Sequence, residues 1–295
     1  MDRKFRAAQA AILSDNAVAL EKLVRADPSL TTVRSLSPCD HPTLLCCLVL
    51  EMPAQKSLAH LIRLFSQFGA ELSEPLVAAA SIDNILGVET LLDLGAPIAG
   101  GGKWSPLEEA LYWGHASVVD LLISRGAPVD NLRKYAALGD LEGVNRCFDS
   151  DGQLNQQAGE VSWPFVGKIA EEVRHNPRQI INNALVFAAA WGQQETASEL
   201  LTRGAEINAI PAGFDFAGTP LHYAALNNRR EMVDWLLEHG ADPTLRDTKV
   251  DNTPDGWAAY AQHSQVAQYL QNIRDWDQNQ FSNLAEYLRW EMSRE

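Results

Sequence analysis

The sequence predicts an all-α solenoid of stacked helix–turn–helix units, and three observations predict it. A Leu-Leu pair closed by Gly-Ala recurs in Leu91–Ala96, Leu121–Ala127, Leu200–Ala205 and Leu236–Ala241. One common register places the turns between paired helices at Asp83, Gly114, Gly139, Gly192, Asn228 and Gln262. The intervals from 83 to 114, 192 to 228 and 228 to 262 are 31, 36 and 34 residues, within the period of about 20–50 that marks a repeat architecture. Thr219-Pro220 supplies a helix N-cap followed by proline at the first helical position, where its missing N–H costs nothing. A single helix pair is too thin to bury its own apolar face, so each unit gains its stability by stacking on the next.

The units follow in order. Ala8 to Leu30 reads as the first, with Asp27-Pro28 in the place of Gly-Ala. Pro42 to Ala70 reads as the second, carrying about seven extra residues around Met52-Pro53. The third and fourth surround the turns at Asp83 and Gly114. Leu132 to Asp151 is a fifth that lacks Gly-Ala, the sixth and seventh surround Gly192 and Asn228, and Pro254 to Ile273 is an eighth. Gly204 and Gly240 supply left-handed residues that stop the second helices. Small Ala224 and Ala225 let neighbouring helices approach. The array is expected to span 1–274 and to be followed by a capping helix over 275–295, with Leu284, Tyr287 and Leu288 turned inward.

The segment Thr219-Pro220-Leu221-His222-Tyr223-Ala224-Ala225, the amphipathic run Met232–Leu237 and the closing Gly240-Ala241-Asp242 together resemble the ankyrin repeat. That repeat reads T-P-L-H-x-A-A, then a second helix, then G-A-D, with a period of about 33 residues. The resemblance extends over nearly the whole chain. It implies hairpin finger loops, a concave groove lined by the two residues before each inter-helix turn, and noncovalent recognition of other proteins. It also implies that His222 is a structural imidazole bonded to backbone at the repeat interface. His115 occupies another regular position of the family.

Departures from the regular pattern point to function. The fingers between Gly69 and Glu74 and between Gly126 and Asp130 are too short to form. An insert over 153–181 holds Trp163-Pro164-Phe165 and a helical stretch from Val166 to Arg174 ended by Asn176-Pro177. The finger over 205–218 is long and carries Pro211, Phe214 and Phe216. Loops of such length are usually functional or disordered. The groove pairs are Ser81-Ile82, Tyr112-Trp113, Ala137-Leu138, Ala190-Trp191, Leu226-Asn227 and Tyr260-Ala261. Aromatic anchors are enriched at binding hot spots. The expected partner-binding set is therefore Trp104, Tyr112, Trp113, Trp163, Trp191, Phe214, Phe216, Leu226 and Asn227. Trp235 and Trp257 fall on core positions of their helices and are expected to pack inside.

Composition narrows the partner. The chain has 295 residues, 46% of them hydrophobic and 21% charged, and a net charge of -14 with a pI near 4.9. Such a surface repels phosphate backbones and anionic lipid, which disfavours nucleic acid and membrane surfaces and favours a protein with a basic or mixed surface. The apolar run Leu44–Leu50 is far shorter than the about 20 residues of a membrane span. Arg3, Lys4 and Arg6 before Ala7–Leu13 imitate a secretory signal, but Gln9 interrupts the run and Ser14-Asp15-Asn16 ends it, so a cytoplasmic protein is expected. Cys39, Cys46, Cys47 and Cys147 lack C-x-x-C spacing and read as buried free thiols.

Other motifs carry little chemistry. Gly100-Gly101-Gly102-Lys103 lacks the Ser/Thr and the preceding strand of a phosphate loop. Asp275, Asp277, Asn279, Asn283 and Glu286 match calcium-loop positions, but Gln280 stands where glycine is needed, and Asn283 with Glu286 is also a capping box. His239 suits a helix C-terminus. No catalytic set, metal site or cofactor is expected. The alternative is a small-molecule or enzymatic site where the 153–181 insert and the 205–218 finger cover the aromatic groove, with Glu160, His175 and Asp215 as its titratable groups.

Overall fold

A computed structural model describes residues 3–34, 43–52, 56–102, 104–162, 169–214 and 217–275. The described residues are helical, without named strands, and separate into two compact units, Met1–Pro128 and Val129–Glu295. The capping helix and calcium motif expected beyond Asp275 lie outside the described residues, apart from Asp275 itself.

The first unit holds four helix pairs: α1 (Arg3–Leu13) with α2 (Ala17–Ala26), α3 (Leu44–Glu51) with α4 (Leu58–Gln67), α5 (Ser73–Ala80) with α6 (Ile85–Asp93), and α7 (Pro106–Trp113) with α8 (Ala116–Ser124). First helices stack in the order α1, α3, α5, α7, and second helices in the order α2, α4, α6, α8. Leu45, Leu48, Leu61, Phe65, Leu76 and Leu107 are among the side chains fully withdrawn from solvent.

The second unit pairs α9 (Leu132–Leu138) with α10 (Leu141–Arg146). After the insert, with its short helix α11 (Glu171–Arg174), α12 (Pro177–Trp191) pairs with α13 (Gln194–Thr202). Two further pairs follow, α14 (Pro220–Leu226) with α15 (Arg230–Glu238) and α16 (Pro254–Tyr260) with α17 (Ser264–Arg274). Here the first helices stack as α9, α12, α14, α16. The insert differs from the expectation at one point. Ile169 and Ala170 are not helical, and helix begins only at Glu171. Asn176-Pro177 opens the long α12 besides closing the stretch before it, because the Asn176 side chain accepts from the Gln179 N–H and caps the new helix.

All six expected turn residues adopt the left-handed conformation, with φ of 57° at Asp83, 76° at Gly114, 72° at Gly139, 75° at Gly192, 55° at Asn228 and 64° at Gln262; Asp15 joins them at 56°. The following N–H then bonds a carbonyl five residues back, as in His115 to Ala110 (3.0 Å), Gln193 to Ala188 (2.9 Å) and Arg229 to Ala224 (2.9 Å). The Gly-Ala motif performs the same closure on second helices. Gly95, Gly126, Gly204 and Gly240 have φ between 86° and 93°. The alanine N–H after each bonds Leu91, Leu122, Leu200 or Leu236 at 2.9–3.0 Å.

His222 joins the last two repeats. It is fully buried. Its Nδ1 accepts the Thr219 N–H (3.1 Å) and lies 2.8 Å from Thr219 Oγ1, so the proton sits on Nε2, which donates to the Asn252 carbonyl (3.1 Å). The ring also meets Trp257 edge-on at 5.0 Å. Burial pushes the imidazole down to about 4, against the Asn252 bond and the charges of Asp247 and Asp255. Trp257 is buried, as expected, whereas Trp235 is only half-buried, packed at the edge of the core and stacked on His239 at 4.0 Å.

Replacing His222 by alanine leaves the buried Thr219 N–H unpaired and takes one of two donors from the Asn252 carbonyl, which keeps the Asp247 N–H, and is expected to cost about 1–3 kcal/mol. In the native chain the unfolded state takes up a proton near pH 6.5 that the folded state refuses until about 4. Stability of the second unit should therefore fall as pH drops through that window, by on the order of 3 kcal/mol. Hydrogen exchange of α14 and α16 amides, in the native chain and in H222A, measures both effects. A stability from exchange, corrected for base catalysis of the amides, that is flat with pH in the native chain would contradict this reading.

Candidate recognition surface

Three of the side chains that follow a left-handed turn bond back to the preceding repeat of the same unit. Asn84 Nδ2 donates to the Val49 carbonyl (2.8 Å), His115 Nε2 to Ser81 (2.9 Å) and Arg229 Nε to Ala190 (3.2 Å). Ser81 and Ala190 each stand two residues before a turn, at the positions expected to line the groove. The straps therefore fix the edge on which the candidate anchors sit.

In the first unit that edge carries Trp113, 39% exposed, and Ile82, 38% exposed. Trp113 is held by a residue that the aromatic pattern overlooked. Glu109, fully buried, accepts the Trp113 Nε1–H on one carboxyl oxygen (2.8 Å) and the Trp104 Nε1–H on the other (2.6 Å). A glutamate four residues before a tryptophan on one helix is the available sequence signal. Trp104 and Tyr112 are themselves buried, at 6% and 5% exposure, and Tyr112 packs edge-on against Trp113 at 4.9 Å. Both therefore support the exposed ring and offer little surface of their own. Desolvation pushes the Glu109 carboxyl up to about 7. The two indole donors pull it down, and the neighbouring Glu108 adds to the rise.

In the second unit Trp191 is half-buried at the end of α12, and the Arg229 guanidinium lies 5.6 Å from its ring centroid. Leu226 and Asn227 are half-buried, and Asn227 Nδ2 caps its own helix through the Tyr223 carbonyl (2.9 Å). Tyr260 is 82% exposed. Phe214, expected as an anchor on the long finger, is instead buried. It sits 5.8 Å from the Phe187 ring and 5.2 Å from Tyr223 and pins the finger to the interior. Trp163 and Phe216 lie outside the described residues.

The groups named for a covered small-molecule site are only partly assembled. His175 lies 3.6 Å from Glu160 and 3.0 Å from Glu171 on the exposed side of the insert, and Asp215 lies outside the described residues. Beside Glu160, a recess lined by Arg133, Val161, Ile180 and Asn183 encloses ≈ 10 Å³, about the room one water needs. Ligand pockets typically measure about 300–1,000 Å³. Among the described residues no three His, Cys, Asp or Glu side chains are grouped to hold a metal, and no helix is long and apolar enough to cross a membrane. Cys46, Cys47 and Cys147 are buried and outside any disulfide, and burial pushes Cys46 and Cys147 up to about 11; Cys39 is not described.

Between pH 4.5 and about 7 folded Glu109 keeps a proton that the unfolded chain releases. Raising the pH through that window should therefore weaken the first unit, by on the order of 3 kcal/mol. In Glu109→Gln this dependence disappears. The amide nitrogen cannot accept an indole N–H, so the more exposed Trp113 is released and its fluorescence shifts to the red. An unshifted spectrum with the native pH profile would contradict the clamp.

Two family models match the sequence, one for three copies of the ankyrin repeat over residues 169–247 and one for a single ankyrin repeat over 102–134. The chain is 34% identical over 89 residues to Ankyrin repeat and SOCS box protein 6 of Mus musculus, covering 30% of this chain and 21% of that protein. It is 29% identical over 198 residues to Ankyrin repeat and KH domain-containing protein mask-1 of Caenorhabditis elegans, covering 65% and 6%. It is 29% identical over 166 residues to Oxysterol-binding protein-related protein 1 of Mus musculus, covering 51% and 17%. The chain thus spans about a fifth or less of the length of these relatives. These matches, the paired helices and the Thr-Pro-Leu-His and Gly-Ala closures show that the chain carries ankyrin repeats.

Proposed function

We propose that this chain is a noncovalent recognition module that binds a protein partner along its turn edge and finger loops. Ankyrin repeats serve as protein-interaction modules, and their stacked units present extended binding surfaces. The observation that carries the reading is the placement of Trp113 and Trp191. Each ring sits immediately before a left-handed turn, oriented by a neighbouring side chain and still open to solvent. A ring oriented in advance loses little entropy on binding, which suits a hot spot. Leu226, Asn227 and Tyr260 extend the surface in the second unit, while Trp104, Tyr112 and Phe214 support it from within.

The partner would carry a basic or mixed surface, since the net charge of -14 steers such a surface inward and repels nucleic acid and anionic membranes. Buried free thiols suit a reducing compartment, so we place the protein in the cytoplasm. The array would run through residue 274, with 275–295 as its cap.

Affinity capture with the full chain tests the reading. Trp113→Ala and Trp191→Ala should each weaken the captured partner by about thirty-fold, a hot-spot effect, while the helical circular dichroism stays native. Undiminished capture by both variants would overturn the assignment of this edge.

A further inference from the structure

Arg229 differs from the other straps in carrying a positive charge and two terminal nitrogens that its backbone bond does not use. Its stem lies over the turn glycine of the preceding repeat, with Cδ 3.5 Å from where a Gly192 Cβ would stand. Its Nε is spent on the Ala190 carbonyl, and its guanidinium rests beside the Trp191 ring. Other arginines of the same unit are neutralised by carboxylates: Arg178 by Glu206 (2.9 Å), Arg203 by Glu199 (2.7 Å), Arg230 by Asp234 (3.2 Å) and Arg274 by Asp255 (2.8 Å). Among the described residues Arg229 meets a carbonyl and an aromatic ring, and no carboxylate. The second unit also carries most of the chain's acidic excess, so an arginine left without a carboxylate there stands out.

We propose that Arg229, held beside Trp191, is a carboxylate-binding site, taking an aspartate or glutamate side chain of the bound partner through its two terminal nitrogens. The planar guanidinium offers two parallel N–H donors that match the two oxygens of a carboxylate. Stem packing, the Nε bond and the ring contact fix that fork before any ligand arrives, so little side-chain entropy remains to be lost. Trp191 supplies an apolar wall on which the adjoining part of the partner rests. The partner surface is accordingly mixed, with acid placed at this one point. The source of the carboxylate rests on the partner-binding reading, whereas the site itself does not.

The test uses the full chain and sodium acetate as the probe, at constant ionic strength against sodium chloride. The Arg229 Nε–H and Trp191 indole N–H resonances should shift saturably with acetate and remain still with chloride. Arg229→Gln is the informative variant, because its amide nitrogen occupies the place of Nε and keeps the bond to Ala190 while the fork is removed. It should retain the native melting temperature and bind acetate about ten-fold more weakly, the loss expected for hydrogen bonds to a charged group. Equal shifts with chloride, or acetate binding unaltered in R229Q, would overturn the site. Tighter binding of inorganic phosphate than of acetate would overturn the carboxylate assignment. Saturable acetate binding in a chain that captures no protein would sink the partner reading alone. Capture by a chain that ignores acetate would sink this site alone.

Discussion

The left-handed residue after each first helix is the constraint on which the rest of the structure depends. A helix of about two turns leaves most of its terminal carbonyls without intrahelical partners. At Asp15, Asp83, Gly114, Gly139, Gly192, Asn228 and Gln262 the chain turns back at once, and a backbone N–H bonds a carbonyl five residues earlier. After Asp83, Gly114 and Asn228 the reversal leaves the next side chain above the preceding repeat of the same unit. Asn84, His115 and Arg229 use that placement to bond a backbone carbonyl there. A local requirement, ending a short helix cheaply, is thereby converted into contact between repeats, which is where a stacked array gains its stability.

Buried polar groups complete the contact, and they act in opposite directions with pH. In the second unit Asp247 accepts from the Val250, Lys249 and Asn252 N–H groups and from the Trp257 indole. Burial alone would raise its carboxyl, but these donors hold it down to about 2. The loop they shape presents the Asn252 carbonyl to His222. This unit depends on a carboxylate that stays charged and an imidazole that stays neutral, and both conditions fail in acid. In the first unit Glu109 is favoured with its proton on, because two indole donors do not fully replace water around a buried charge. The two units are tuned to different ends of the pH scale.

Much of this was legible in the sequence, for a physical reason. Left-handed residues and helix caps are local, and glycine, asparagine and aspartate tolerate positive φ, so the turns could be placed from spacing alone. Glu109 was not legible in the same way. Leu107-Glu108-Glu109 reads as an ordinary acidic first helical turn, and only the return of Trp104 across the helix start gives the second carboxyl oxygen a donor. Phe214 misled for a related reason. A large ring on a long loop suggests an exposed anchor, yet the loop carries it back between Phe187 and Tyr223. The insert's sequence predicts helix from Val166, whereas Ile169 and Ala170 are not helical and helix begins at Glu171.

The same comparison separates anchors from supports. Trp104 and Trp113 are chemically alike and share one acceptor, but one is 6% exposed and the other 39%. What distinguishes them is distance from the turn. Trp113 is the last residue before Gly114, where the helix ends and no further turn covers the ring. Trp191 stands in the same relation to Gly192. An aromatic residue earlier in a first helix faces the next repeat and is covered by it, as Tyr223 and Phe187 are. The last position before the left-handed residue therefore leaves a ring open to solvent, whereas two residues before it the neighbours decide: Tyr112 is covered at 5% exposure and Tyr260 stands out at 82%.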